Sequence, residues 1–235
     1  MINLKYLDLR DCHGLTKTPN FGDIPNLETL NLMGCRNLEV VHRSLGHCRM
    51  LTSLDLWNFG KLKNLPKFVV MGWLQTLNLL GCESLQTFPK ICGDMRRLSI
   101  LPVGSPWIRS LPPSFSGLIN LELIDCSHLE SIPGTFENVN YLNIRGCSKL
   151  ATLPNLLESG QLEDLHIAEC SRLVELPMSV SSQKKFCWLS LNRCENLKKL
   201  PDFMQMESLE HLLIVGCPQL DTCFGTYTTT CSNDV

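Results

Sequence analysis

Apolar residues recur along this chain at one fixed spacing, which is plainest between Leu162 and Pro177. There the pattern reads L-x-x-L-x-I-x-x-C-x-x-L-x-x-L-P, and ten such units can be aligned between Leu4 and Leu220. Successive Cys positions are 20 to 24 residues apart. A self-similar period of this length is typical of a solenoid, in which each unit forms one coil of a stack.

The spacing within one unit predicts a short β-strand. In the L-x-L part of the pattern, such as Leu165 and Ile167, two apolar residues alternate with polar ones, so both point to the same face of a strand. One coil cannot bury that face alone, but stacked coils share a continuous core. The sequence therefore predicts a parallel sheet with one strand per unit.

Cysteine occupies the same place in most units, at the point where the chain leaves the strand and turns inward. Cys is small and buries readily, and its thiol is a weak hydrogen-bond donor. We interpret these cysteines as buried structural residues. They are Cys12, Cys35, Cys82, Cys126, Cys147, Cys170, Cys194 and Cys217.

The fifth unit is one residue shorter than the others. We align Pro106 with the Cys position and place the missing residue between Pro106 and Ile108. In most units a Pro follows the last apolar residue, and Pro cannot donate a backbone hydrogen bond. The returning segments are therefore predicted to form short 3₁₀ turns instead of long helices.

Together these features predict an α/β leucine-rich-repeat solenoid of about ten repeats. We expect it to be curved, with the parallel sheet on the concave face and an irregular or 3₁₀ convex side. Residues 1–222 would form the leucine-rich-repeat domain. Residues 223–235 are polar and lack the pattern, which predicts a C-terminal tail.

Composition and charge limit the cellular compartments and the classes of partner that are expected for this chain. The formal net charge is −2, from 21 Lys and Arg against 23 Asp and Glu, whereas nucleic-acid binders usually show a basic excess. The most apolar run, residues 68–81, is too short and too polar to span a bilayer. With an odd count of 13 cysteines and no visible targeting segment, we expect a cytoplasmic or nucleo-cytoplasmic protein that binds neither nucleic acid nor membranes.

The polar positions of the strands point away from the core and form the candidate binding face. Ten strands about 4.8 Å apart and five residues across give on the order of 700 Å², close to one side of a protein interface. Aromatic residues and Arg dominate such interfaces, although an exposed aromatic can also simply cover its neighbours. The predicted partner-binding residues are Tyr6, Arg10, Trp57, Tyr141, Arg145, His166 and Trp188. A second outward series reads as a solvated polar ladder and comprises Asp8, Asn31, Asp55, Asn78 and Asn143.

Catalytic, cofactor and metal sites are not predicted. Cys12 with His13, and His47 with Cys48, are adjacent in sequence, but a catalytic pair must also converge in a cleft. No C-x-x-C pattern that would indicate a metal site occurs. A thiol enzyme stays as an alternative that would require one cysteine with a depressed pKa.

The C-x-x-L-x-x-L-P form of the repeat resembles the leucine-rich-repeat region of plant intracellular disease resistance proteins. The closest group has an N-terminal Toll/interleukin-1-receptor domain and a nucleotide-binding domain. The likeness is carried by residues 4–19, 26–35, 40–45 and 104–115. It implies recognition of a pathogen effector or of the receptor's own nucleotide-binding domain through the concave face.

The chain also departs from such receptors. It contains no G-x-x-x-x-G-K-[ST] phosphate loop and no Toll-type domain, so the activities of those parts do not carry over. A free-standing leucine-rich-repeat scaffold, or an inhibitor of a partner protein, is the alternative interpretation.

Overall fold

The computed structural model describes residues 2–93, 95–112, 117–133, 136–153, 156, 160–201 and 206–220. Ten strands form one parallel sheet in which every strand pairs with the next along the chain. The strands are β1 (Tyr6–Asp8), β2 (Thr29–Asn31), β3 (Ser53–Asp55), β4 (Thr76–Asn78), β5 (Ile100–Val103), β6 (Asn120–Ile124), β7 (Tyr141–Arg145), β8 (Asp164–Ala168), β9 (Trp188–Asn192) and β10 (His211–Val215). This architecture confirms the predicted leucine-rich-repeat solenoid with one strand per repeat.

The helices in the described part of the chain are three short 3₁₀ segments in the returning parts of the coils. They are Phe21–Asp23, Arg43–His47 and Met178–Val180. Pro177 is the N-cap residue of the last of them and has an extended conformation with φ −66°. The expectation of short 3₁₀ turns is therefore confirmed at these positions. The predicted polar tail, residues 223–235, lies outside the described residues.

The apolar positions of neighbouring repeats lie in exact lateral register. Leu30 pairs with Leu54 in the next strand, and Leu54 pairs with Leu77 in the strand after that. All three side chains are fully buried, and they belong to one apolar core that runs through the whole stack. The period-two spacing thus places the same residue of every coil against its neighbours.

The cysteines of the repeat join each coil to the one before it. The Cys35 thiol donates to the Leu9 carbonyl oxygen at 3.0 Å, and Cys82 donates to the Leu56 carbonyl oxygen at 3.3 Å. These carbonyls belong to the last apolar strand position of the preceding repeat, where a buried acceptor requires a partner. Burial raises the pKa of the Cys82 thiol to about 12, so it stays a donor. Of the eleven cysteines that the structure describes, all are free thiols.

Two cysteines of this series are less buried than predicted. Cys12 is exposed and Cys217 is only half-buried. Cys12 belongs to the first described repeat and Cys217 to the last, so in this structure each is covered by a described coil on one side only. The apolar residues Leu7 and Leu212 show the same effect, since Leu7 is half-buried and Leu212 is exposed. The repeat pattern marks a buried position only where a coil has neighbours on both sides.

The fifth repeat is aligned differently from the prediction. Ser105, not Pro106, takes the Cys position, because Ser105 is fully buried while Pro106 is half-buried. The Ser105 hydroxyl donates to the Leu85 carbonyl oxygen at 2.6 Å. The missing residue therefore lies between the strand and the Cys position.

The residue that the fifth repeat lacks has an unusual conformation in the other nine. It has a positive φ between 52° and 73° and directly precedes the Cys position or, in the third repeat, Phe59. This left-handed conformation turns the chain inward from the strand, and Gly adopts it without strain. The residues are Asp11, Gly34, Asn58, Gly81, Asp125, Gly146, Glu169, Arg193 and Gly216.

The Asp and Asn residues of the predicted polar ladder have a structural role in the first four repeats. Each of β1 to β4 ends at such a residue, and its side-chain oxygen accepts from the backbone N–H two residues on. The distances are 3.1 Å from Arg10 to Asp8, 3.0 Å from Met33 to Asn31, 2.9 Å from Trp57 to Asp55 and 3.1 Å from Leu80 to Asn78. Such local hydrogen bonds compete with strand pairing. They coincide with strands of three residues, whereas β6 to β10 have five.

Replacing Asn78 by Ala should lower the free energy of unfolding by about 1 kcal/mol, because the Leu80 N–H loses its acceptor. Asn78→Asp keeps the acceptor and should stay close to the unchanged chain. Thr76→Ala, on the same strand, should cost less than about 0.5 kcal/mol. Urea unfolding followed by circular dichroism measures all three. An Asn78→Ala chain as stable as Thr76→Ala would contradict the assigned role.

Candidate functional site

The side chains that point away from the core form what we call the open face of the sheet. They stand in three rows, because each residue pairs with the equivalent residue of the next strand. Tyr6 and Thr29 belong to the first row, Asp8 and Asn31 to the second, and Arg10 to the third. This face contains all seven predicted partner-binding residues.

Tyr6 and Arg10 lie on the first repeat and hold Asp8 between them. The Tyr6 hydroxyl donates to Asp8 Oδ2 at 3.2 Å, and the Arg10 Nε donates to the same oxygen at 2.9 Å. The hydrogen bond from the Arg10 side chain lowers the pKa of Asp8, so this carboxylate stays charged. These hydrogen bonds join residues of the first repeat only. Tyr6 is still 55% exposed.

Trp57 lies in the third row, two residues beyond the end of β3. Its side chain is 41% exposed, and its backbone N–H is fixed by the Asp55 side chain. The structure therefore leaves Trp57 as a separate apolar residue on the open face. It lies about six strand spacings, or roughly 29 Å, from Trp188, and it is closer to the first repeat than to Tyr141.

Four rings on the last four strands form a continuous chain, which we call the aromatic cluster. The Tyr141 and His166 ring centroids are 5.5 Å apart, and those of His166 and Trp188 are 6.0 Å apart. Trp188 and His211 approach to 4.3 Å. These separations and tilts are those of attractive aromatic pairs. The structure thus brings together three of the predicted residues, Tyr141, His166 and Trp188.

Carboxylates surround the first ring of the aromatic cluster. Burial raises the pKa of the Tyr141 hydroxyl, and the nearby charges of Glu122 and Asp164 raise it further. Arg145 lies on the same strand as Tyr141 and forms an ion pair with Glu169 at 3.5 Å. The cluster therefore combines apolar ring surface with acidic groups at one end, while the charge of Arg145 is partly balanced.

His211 is the residue that the prediction of partner-binding residues missed. It pairs directly with Trp188 across the ladder between β9 and β10. The aligned repeats already place both residues in the same row, so the signal was available in the sequence. What the sequence lacks is the ring geometry that joins His211 to the aromatic cluster.

The described thiols differ in pKa. Burial raises the pKa of the Cys48 thiol to about 11, which is the opposite of the depressed pKa that an activated nucleophile requires. The side-chain hydrogen bond with Cys194 lowers the pKa of the half-buried Cys217 thiol to about 7, so Cys217 is the cysteine that the thiol-enzyme alternative would use. The hydrogen bond with Cys147 also lowers the pKa of Cys126, but Cys126 is fully buried. Cys12, next to His13, is exposed on the first repeat. Within the described ranges, His, Cys, Asp and Glu form no group of three suited to hold a metal ion. None of the described helices is long and apolar enough to cross a membrane.

Comparison with solved structures shows the class of fold. The chain superimposes on the leucine-rich repeat domain of the type III effector XopL with a TM-score of 0.74. The match covers 94% of this chain and 78% of that domain, at 22% sequence identity. No family model matches the sequence. The protein therefore has a leucine-rich-repeat fold.

Among characterised proteins, the chain is similar over a short stretch to TMV resistance protein N of Nicotiana glutinosa. The two are 46% identical over 61 residues. That stretch is 26% of this chain and 5% of the length of the resistance protein.

Proposed function

We propose that this chain is a protein-recognition module of a plant immune receptor. It binds a pathogen effector, or the nucleotide-binding domain of its own receptor, through the open face of the sheet. The observation that carries the proposal is the aromatic cluster, which presents Tyr141, His166, Trp188 and His211 without interruption across four strands.

The cluster has the properties of an interface centre. Tyr, Trp and Arg supply most of the binding energy in protein interfaces, because they bury much apolar area with few rotatable bonds. Trp188 is 37% exposed while its ring is held by two neighbours, so little ordering is needed when a partner covers it. Three strand spacings, roughly 14 Å, separate the ends of the cluster, which suits a protein surface better than a small ligand.

The plant-immune part of the proposal is supported by the short match to TMV resistance protein N. The C-x-x-L-x-x-L-P repeats along the rest of the chain resemble those of plant disease resistance proteins, which adds support. Free thiols along the ladder suit a reducing compartment, and we place the protein in the cytoplasm.

The proposal predicts that the Tyr141→Ala, Trp188→Ala double variant loses its partner. A photo-crosslinking amino acid at Ser190, beside the aromatic cluster, should capture a protein from extract of pathogen-infected plant leaves. The double variant should reduce this product at least about tenfold, because two central aromatic contacts are removed. Circular dichroism must first show that both proteins are folded.

The control places the same photo-crosslinking group at Arg172, which is exposed and lies outside the strands. Mass spectrometry then identifies the captured protein. An effector or a nucleotide-binding domain captured from Ser190 alone supports the proposal. A host enzyme captured instead would favour the free-standing inhibitor, and equal capture from Arg172 would contradict recognition through the open face. A Trp57→Ala variant tests whether that separate residue takes part.

A further inference from the structure

A second surface of the solenoid, away from the open face, combines exposed apolar side chains with positive charge. It lies three residues before the strands of the third, fourth and fifth repeats. Met50, Trp73 and Arg97 occupy this position before β3, β4 and β5. We call these residues, together with Arg49, the basic flank.

The backbone ladder continues into this region and keeps the repeats in register. The Gln75 N–H donates to the Thr52 carbonyl oxygen at 2.8 Å, and the Ser99 N–H donates to the Gln75 carbonyl oxygen at 2.9 Å. Residues that precede the strands by equal numbers are therefore neighbours about 4.8 Å apart. Met50, Trp73 and Arg97 form one row.

The apolar members of the basic flank are unusually exposed. Trp73 is 48% exposed and Met50 is 42% exposed, and the two stand in adjacent repeats of one row. Single exposed apolar residues are ordinary, but a contiguous group bordered by charges marks an interaction site. Aromatic residues, Met and Arg are the types enriched in protein interfaces.

Arg97 is held in place by Trp73. Its guanidinium carbon lies 3.7 Å from the centre of the indole ring, a close cation–π contact. Stacking uses the flat face of the guanidinium, so its N–H groups stay in the plane where a carboxylate can accept two hydrogen bonds. The pair offers an ordered cation next to an apolar surface.

The charge of the surrounding segments is strongly one-sided. Residues 42–52, 66–75 and 89–99 return towards the third, fourth and fifth strands, and they contain six Lys and Arg against one acid. The six are Arg43, Arg49, Lys67, Lys90, Arg96 and Arg97, and all are exposed. The single acid, Asp94, lies outside the described residues. The whole chain is slightly acidic, so this is a local excess of positive charge.

We infer that the basic flank docks an acidic segment of a protein partner, with Trp73 and Met50 contacting its apolar side chains and Arg97 and Arg49 binding its carboxylates. The positive charge of the basic flank predicts a negatively charged partner. The apolar residues between the charges favour a protein over a polyanion, because a polyanion has no apolar side chains to contact them. Membranes and nucleic acids recruit longer runs of Lys and Arg. The inference does not depend on the proposed function of the open face.

The test measures binding of a short fluorescein-labelled peptide, rich in Glu with two central Leu, to the full chain by fluorescence anisotropy. The same peptide with Lys in place of Glu should not bind. Arg97→Glu should weaken binding about tenfold, since one central charged contact becomes repulsive. Trp73→Ala should weaken it by a similar factor, and added salt should weaken binding further.

Arg172→Glu is the matched control, because it makes the same charge change on an exposed site of the eighth repeat and should leave binding unaltered. Arg49→Glu provides a second variant if Arg97→Glu is not folded by circular dichroism. Equal loss with Arg172→Glu, or unchanged binding by both flank variants, would overturn the inference. Tighter binding of heparin or of phosphatidylserine vesicles than of the acidic peptide would also overturn it.

Discussion

Replacing Leu165 by Ala is expected to lower the free energy of unfolding by about 2–5 kcal/mol. Leu165 is fully buried in β8 and pairs with Leu142 on one side and Leu189 on the other. Truncation leaves a cavity between three coils that the rigid backbone ladder cannot close. The loss should therefore be near the upper part of the range for a Leu→Ala change.

Val174→Ala is the matched control in the same repeat, because Val174 is also apolar but is 44% exposed. It should cost less than about 0.5 kcal/mol. Stability in a solenoid is a sum over coils and their interfaces, so urea unfolding should be followed both by circular dichroism and by the fluorescence of the four tryptophans, which lie in different repeats. Equal losses for Leu165→Ala and Val174→Ala would contradict the assigned register.

Replacing Gly46 by Ala is expected to cost about 3 kcal/mol, because overpacking against backbone cannot be relieved by a side-chain movement. A Cβ at Gly46 would overlap the Lys67 carbonyl oxygen of the next coil. The Gly46 carbonyl also accepts from the N–H groups of Val69 and Val70, at 2.9 and 3.2 Å. Two coils therefore meet backbone to backbone, and a methyl group must separate them and stretch both hydrogen bonds.

Gly14→Ala makes the same chemical change where the space is open, since nothing lies within 4 Å of a Cβ there. It should alter the free energy of unfolding by less than about 0.5 kcal/mol. Thermal unfolding of the two variants compares them directly. A Gly46→Ala chain as stable as Gly14→Ala would mean that the coils are packed less closely at this point than the structure shows.

The fold could be predicted from the sequence because one signal is repeated many times. The L-x-L spacing places Leu30, Leu54 and Leu77 on one face, and each neighbouring unit supplies the same evidence again. The alignment of the fifth repeat could not be predicted in this way, since its missing residue can be placed on either side of the Cys position. Only the burial of Ser105 decides between the two alignments.

The exposure of residues in the first and last described coils also could not be predicted from the repeat pattern. Cys12 fits the repeat as well as Cys35 does, yet Cys12 is exposed and Cys35 is buried. Burial depends on what covers a residue, and a motif within one coil carries no information about its neighbours.

The sequence predicts which residues lie on the open face, but it does not predict which of them contact each other. Outward positions follow from strand alternation, which predicts that Tyr141, His166 and Trp188 lie on the open face. Their contacts depend on side-chain rotamers, because His166 stands in the second row and must lean towards rings in the first. The basic flank does not follow from strand alternation, since it lies before the strands and its Arg–Trp contact joins different repeats.

The residues with positive φ also restrict how such an array can grow by gene duplication. A Cβ at Gly34 would meet the Asp11 side-chain oxygen, and one at Gly146 would meet that of Asp125. At these two junctions the Asp side chain stands in the space that a Cβ of the next repeat would fill, so a second side chain there requires the Asp side chain to turn away. Glu169 and Arg193 occupy the same position in the eighth and ninth repeats, so two side chains can stand next to each other at such a junction. Copying an Asp coil next to itself would therefore need a side-chain rearrangement, whereas copying the Asp and Gly coils together keeps the existing contact.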